Sequence, residues 1–591
     1  MDLKAISSTL EIGFAIFIGS FIYILSRNQI KKDAPPYAIN RRQIPGAVIG
    51  IIAILSLNQT YTRYLGFRPP LYFILISFVV ALISIQIVFL KNQSTSIILF
   101  ELMLVSLCLR SSIFYSVPGL LGSDTWLHQA IMEVWIDNSH ITPNVFTVGQ
   151  GYTSYAEFPV MHLLVISLKL IGTNSFRDCL FLSVGGANII SILFIYLLGR
   201  NLTDEKIGIF TSLLICINPT NIAGGTILIP NSLGVSIFTI ILYLIFLNRS
   251  SFRNIVFYIL IISLSYMHVL SNFVILIAIT GIFTTYSLYG KLFRGSQKHQ
   301  NISLQALVFF GILSISKWSY SLYIPSISYF DTMIQVFVNA LKNDIEFVGS
   351  IVQSQSNSTL NRLWFILNLS FLVYGSLVWI ERKNRTQQKH AIIISTGLLA
   401  GSYILPVFNI TNFRPGRWTP FIFIGGTLLI AQGIYSFSGS FRGKFKSTFL
   451  LVAIVFIISM FSINSSLVNN NSPFFNETIW TGFNEKELSA AETASKLYEG
   501  EIASDWDYIH LILRAQNEIT NVTYIDPLIE ERGIIMVRKQ IINHPEGIHY
   551  NLWRSSETPI EETIDNLSKF EKTKKYNLVY SNREVNSYQK R

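Results

Sequence analysis

The chain has 591 residues, half of them hydrophobic and only 13% charged, with a mean hydropathy of +0.45. Soluble domains carry about a quarter charged side chains, so this composition excludes an ordinary soluble globular protein. Nor does the net charge of +11 point to nucleic acid: residues 464–591 hold 14 Lys and Arg against 19 Asp and Glu, so the basic excess belongs to the apolar part.

Apolar runs long enough to cross a bilayer as helices recur through the first 463 positions. The run at 10–26 lacks a basic start and a small-residue cleavage site, and reads as a retained spanning helix. Further helices are expected at 44–57, 71–90, 95–116, 178–199, 203–217, 231–247, 254–270, 272–290, 302–316, 363–380, 391–408, 419–437 and 447–463. That makes about fourteen, of which 44–57 and 203–217 are short.

Basic connections at 31–43, Lys91, 200–206, 249–253, 291–299, 381–390 and 442–446 read as cytoplasmic. Seven such connections between fourteen helices fit one alternating topology with both termini outside. The apolar segment "PVMHLLVISLKLIG" (159–172) then cannot cross, and is expected to lie on the membrane or dip into it. Four outside regions result: 117–177, 218–230, 317–362 and the tail from 464. The tail alternates strand-like runs ("RGIIMVRKQII", "YNLVYS") with helix-like ones ("NEKELSAAETASKLYEG"), as a small α/β domain does.

The expected fold is therefore an all-α polytopic membrane protein with a small extracytoplasmic α/β C-terminal domain. Residues 1–94 supply extra N-terminal membrane helices, 95–463 the membrane core and 464–591 the external domain. Cys108, Cys179 and Cys216 all fall within apolar runs and read as packing residues.

At the outer end of the helix at 95–116 stands "VPGLLGSDTWLHQAIMEVWI". By local chemistry, Ser123 or Asp124 caps an amphipathic helix, and the spacing of four puts Asp124 and His128 on one face. An ionisable residue at a membrane boundary is also a functional candidate.

The order of motifs from there resembles the GT-C glycosyltransferase superfamily. "GSDTWLHQAIMEVWIDNSHITPN" is followed by "GYTSYAEFPVMHLLVISLKLIGTNSFRD" and "ILFIYLLGRNLTDEKIGIFTSLLICINPTNIAGG". The matching positions are Asp124, Pro143, the run Phe158 to His162, and then Tyr196, Gly199 and Arg200. In that superfamily the helix before the acidic loop is usually the first, whereas three extra helices precede it here.

The resemblance implies a multi-spanning enzyme that moves a sugar from a polyprenyl-phosphate carrier to a glycan, lipid or protein acceptor on the extracytoplasmic face. The prokaryotic plasma membrane is the expected setting. Asp124 would act as the base that takes the acceptor's proton. The phosphate leaving group needs cations or donors near the outer helix ends, and Arg414, Arg417 and Lys317 stand there. His128, Glu157, His162 and His268 are further candidates for binding substrate. Interfacial snorkelling for the cations, and core packing or surface solvation for the others, are the competing readings.

No resident cofactor is expected. A divalent Mg or Mn ion stays open, because oligosaccharyltransferases of the superfamily use one; with one strong acidic residue at the mouth, the sequence leans towards none. "SDWDYIHLI" in the tail partly matches the oligosaccharyltransferase Trp-Trp-Asp-Tyr-Gly signature: Trp506, Asp507 and Tyr508 agree, whereas Asp505 and Ile509 do not. Protein N-glycosylation is therefore an alternative. A transporter or flippase of lipid-linked sugar is another, disfavoured because the charges lie at helix ends rather than at mid-membrane and no repeat is present.

Overall fold

The computed structural model describes residues 18–20, 43–65, 68–89, 94–117, 119–142, 155–172, 174–247, 250–292, 303–324, 327–342, 359–381, 385–403, 417–441, 444–463, 483, 485–497, 502–504, 508, 522–524, 534–538, 576–581 and 585–590. The chain is mostly helical. Among the described residues six helices are long and apolar enough to cross a membrane: Pro70–Ile87, Thr95–Phe114, Phe176–Leu202, Val269–Tyr289, Leu363–Ile380 and Thr419–Gly439. Each has at least 18 residues and so spans roughly 27 Å or more. The protein is an integral, multi-pass membrane protein.

Six is fewer than the expected fourteen. Pro230–Phe246 (α9) and Ser251–Ser265 (α10) are apolar but shorter. The segment expected at 203–217 is Glu205–Cys216 (α7), 12 residues of which Ile207 through Cys216 are all buried among other helices. The segment expected at 44–57 instead runs Gln43–Leu65 (α1), because the polar and aromatic "NQTYTRYL" continues the helix after the apolar run ends. Of the run at 10–26 only 18–20 is described, where Gly19 lies against Ser370.

The N-terminal helices are part of the bundle. α1 packs on Thr95–Phe114 (α3) and on Pro70–Phe89 (α2). α2 in turn packs on Lys444–Ile463 (α17), where Ser459 and Ser77 hydroxyls approach to 3.4 Å. The tightest helix pair is Thr359–Ile380 (α14) against Thr419–Gly439 (α16). A Cβ on Gly375 would stand 1.9 Å from the Leu429 carbonyl and one on Gly433 2.2 Å from that of Phe371, so only glycine permits the approach.

α3 carries a fully buried guanidinium. Arg110 donates from Nε to Asn188 Oδ1 (2.8 Å), from Nη1 to Ser106 Oγ (2.5 Å) and from Nη2 to the Asn221 carbonyl (3.2 Å). Asn188 Nδ2 donates to Asn221 Oδ1 at 3.2 Å. All these partners are neutral. They tie α3, Phe176–Leu202 (α6) and the short helix Pro219–Gly224 (α8) into one knot.

In the tail, Glu485–Leu497 (α18) accompanies a five-stranded sheet. Ile502–Ser504 (β1) runs parallel to Val522–Tyr524 (β2) and to Ile534–Arg538 (β3). Tyr576–Ser581 (β4) and Val585–Lys590 (β5) form an antiparallel pair whose second strand joins β3, giving the order β2-β1-β3-β5-β4. Phe483 bridges this unit to the bundle, with ring centroids 6.1 Å from Trp126 and 5.6 Å from Tyr508.

Candidate active site

The helix Ser123–Asp137 (α4) begins after Gly122, which takes the cap position with φ +78°. The cap expected at Ser123 or Asp124 is thus displaced by one residue. A side chain at that φ is strained, and a Cβ on Gly122 would also meet Ile227 at 3.1 Å. The helix is held by Thr125, whose amide donates to the Gly122 carbonyl (3.1 Å) and whose hydroxyl donates to Leu121 (2.7 Å). Trp126, Leu127, Ala130, Ile131 and Trp135 face the core. Asp124 sits in the first turn, where the helix dipole favours a carboxylate.

Asp124 faces Arg417. Its Oδ2 lies 3.6 Å from Arg417 Nη2, with the side chains 31% and 39% exposed respectively. Arg417 lies two residues before α16, and its neighbour Trp418, the cap residue, is buried against Phe273 of Val269–Leu292 (α11), with ring centroids 5.8 Å apart. A pair this loose and solvated contributes about 1 kcal/mol at most, so either charge is free to engage a ligand.

A second set of groups converges on Arg417. Asn231 Nδ2 donates to the Arg417 carbonyl (3.5 Å), and Asn231 Oδ1 accepts from Ser271 Oγ (2.8 Å). The Ser271 amide donates to His268 Nδ1 at 3.2 Å, the imidazole standing where a cap of α11 would. Burial, and then the charge of Arg417, hold the His268 pKa well below the usual imidazole range, so the ring is neutral. Asn231 and Ser271 were not foreseen; their only sequence signal is polar residues opening apolar helices, in "IPNSLG" and "HVLSN".

Lys317 is placed differently from the expected phosphate ligand. Its Nζ lies 2.7 Å from Glu157 Oε2, with Lys317 11% and Glu157 47% exposed. The ammonium also stands over Tyr266 (4.8 Å) and Phe158 (5.3 Å). The Val160 amide donates to the Tyr266 carbonyl at 3.3 Å, and Phe158 packs on Tyr329 at 5.8 Å. Lys317 and Glu157 therefore clasp the loop before Val160–Ile171 (α5) to Leu304–Tyr320 (α12) and Tyr329–Lys342 (α13). Both charges are already matched.

His128 and His162 are also brought together, but away from solvent. His128 Nδ1 and His162 Nε2 are 3.0 Å apart, and both rings are buried. Tyr155 lies 4.6 Å from His128, and Trp135 lies 5.1 Å from His162. The shared face expected for Asp124 and His128 is thus not a shared environment: Asp124 reaches the mouth, whereas His128 points into the α4–α5 contact. Burial pushes the His162 pKa down to about 4, against a smaller opposing effect of the Phe158 backbone carbonyl, an acceptor for the protonated ring. α5 has 12 residues, roughly 18 Å, and leaves Leu163, Leu164, Leu170 and Ile171 exposed.

Arg177 is a cation the sequence reading passed over. Its Nη2 donates to the carbonyls of Phe114 and Val117, each at 2.6 Å, closing the end of α3. Arg414, Pro143, Trp506 and Asp507 lie outside the described residues. Among the described residues no group of three or more His, Cys, Asp or Glu is placed to hold a metal ion.

The helical bundle, with its acid–base pair where helix ends converge, has a GT-C-like fold. No family model matches the sequence, and comparison with curated proteins gives no match. Solved structures do match. The chain is similar to the oligosaccharyltransferase of Archaeoglobus fulgidus in complex with zinc and sulfate, at 13% identity and a TM-score of 0.51, covering 87% of this chain and 73% of that one. Against the apo form the values are 12% and 0.49, covering 77% of this chain and 65% of that one. It is also similar to ArnT from Cupriavidus metallidurans bound to undecaprenyl phosphate, at 10% identity and a TM-score of 0.43, covering 84% and 97%.

Proposed function

We propose that this protein transfers a sugar from a polyprenyl-phosphate carrier to an acceptor on the extracytoplasmic face of a prokaryotic plasma membrane. Residues 1–94 are added membrane helices, 95–463 the transferase core and 464–591 an extracytoplasmic domain. The observation that carries the reading is the Asp124–Arg417 pair, an acceptor-only carboxylate beside a fixed cation at converging helix ends of a GT-C-like bundle.

The acceptor's oxygen or nitrogen attacks the anomeric carbon as the bond from that carbon to the phosphate oxygen breaks. Asp124 takes the acceptor's proton, and the polyprenyl phosphate departs with the bonding electron pair. Arg417 is the group that meets the growing phosphate charge. Arg414, three positions before Arg417 in the sequence, is a second candidate cation for that phosphate, and His268 lies beside Arg417. No step is routed through a metal.

The test is purified full-length protein incubated with radiolabelled polyprenyl-phosphate sugars, following label release. Asp124→Asn is expected to fold and insert yet to lose about a hundredfold or more in turnover. Normal transfer by this variant would remove the base assignment. The oligosaccharyltransferase likeness favours one second reading, a protein acceptor; label appearing on an added Asn-x-Thr peptide selects it.

A further inference from the structure

We propose that His268 is a phosphate-binding residue held as its neutral Nε2–H tautomer, donating to an oxygen of the carrier phosphate and not serving as a base. This rests on the reading of the mouth as a lipid-phosphate transferase and names the job of one more group there. The tautomer follows from a donor that cannot be reversed: the Ser271 amide can only donate, and it points at His268 Nδ1 from 3.2 Å. Nδ1 therefore holds a lone pair, and the ring's hydrogen is on Nε2.

The neighbouring hydroxyl agrees. Ser271 Oγ stands 3.0 Å from Nδ1 and 2.8 Å from Asn231 Oδ1. Asn231 has its amide nitrogen turned to the Arg417 carbonyl, so its oxygen faces Ser271. The hydroxyl proton has two acceptors before it, and with either one Nδ1 stays unprotonated. A Cβ on Gly234 would come within 2.5 Å of Ser271 Oγ, so the missing side chain there is what lets the serine sit in this place.

A ring fixed in this way cannot take an acceptor's proton at Nε2, which leaves that role to Asp124. It also cannot become an imidazolium without setting an N–H against the Ser271 N–H, beside the charge of Arg417. What it offers is one neutral donor. Nε2 makes no hydrogen bond among the described residues, and the ring is only partly buried. The ionised Asp124 accepts only and repels an anion, so phosphate belongs on the His268–Arg417 side of the mouth.

The experiment uses the whole protein in nanodiscs, titrated with polyprenyl phosphate and, separately, with inorganic phosphate. His268→Phe is expected to weaken polyprenyl-phosphate binding about tenfold or more, and His268→Gln, which keeps an N–H donor near Nε2, to restore most of it. Inorganic phosphate should compete, with the same order among variants; a variant effect on the lipid without competition would mean the ring meets the chain, not the phosphate, and overturns the proposal. Nitrogen NMR of histidine-labelled protein, with His268→Gln giving the assignment, should show the Nε2–H form throughout the neutral range. An Nδ1–H or charged ring, or unchanged binding in His268→Phe, also overturns it. If wild-type protein binds no polyprenyl phosphate, the transferase reading fails with it, whereas the NMR result separates the two failures.

Discussion

Arg417 meets the Asp124 carboxylate and, in the proposed reaction, a departing phosphate. A guanidinium suits the second partner because it presents paired N–H groups that a lysine lacks. Arg417→Ala is expected to lower the rate of transfer by about a hundredfold or more, and Arg417→Lys to recover part of that loss, since the charge returns without the fork. The check is label release from the lipid donor under single-turnover conditions; equal rates for alanine and lysine variants would assign Arg417 to structure alone.

His162 makes a different prediction, about pH. Its folded-state pKa is depressed by burial, so the unfolded chain binds its proton first as pH falls. Its contribution is fully present above about pH 6.5, the usual imidazole value, and is lost as pH falls through about 4, on the order of 3 kcal/mol in all. His162→Phe should flatten the fall of melting temperature across that acid window. A slope as steep as in the wild type would place the titration elsewhere.

At the scale of elements, the clasp of Lys317 and Glu157 joins α12 to the loop before α5. The sequence reading expected a phosphate ligand at Lys317, and a clasp predicts the opposite phenotype. Lys317→Met should leave polyprenyl-phosphate affinity within about twofold while costing about 1 kcal/mol or more of thermal stability, from the ion pair and the two ring contacts together. A large loss of affinity with unchanged melting would reinstate the ligand role.

Such pairings explain what could be read in advance. Hydropathy located most of the helices, because bilayer thickness sets a run length that one sequence displays. The special helix start at Asp124 was legible within a residue, the error arising because a glycine at positive φ took the cap. The His128–His162 contact, 34 positions apart, and the Arg417–Asp124 pair join segments distant in the chain, and neither hydropathy nor loop charge says which helix ends meet. Tyr508, read as part of a partial motif, proves to be a buried aromatic between Phe483 and the Glu487 backbone.

At the scale of the molecule, an aromatic contact between Phe483 and Trp126 joins the described part of the tail to the bundle. Trp126 is buried beneath Phe483 on the helix that bears Asp124, and a Cβ on Gly119 would come within 2.4 Å of the indole ring. Trp126→Ala is expected to cost about 3 kcal/mol and to loosen the tail's grip. Limited proteolysis should then release residues beyond 464 faster than in the wild type. If cleavage is unchanged while transfer falls, Trp126 serves α4 and not the dock.

The buried knot around Arg110 constrains how such a chain can be made. A translocating ribosome delivers α3 before α6 and α8, so the guanidinium enters the lipid before Asn188 and Asn221 exist to receive it. Arg110 stands about one turn from the end of α3, close enough for its long side chain to reach the interface until roughly 110 further residues have followed. The order of synthesis thus makes the guanidinium's final burial depend on chain that arrives later.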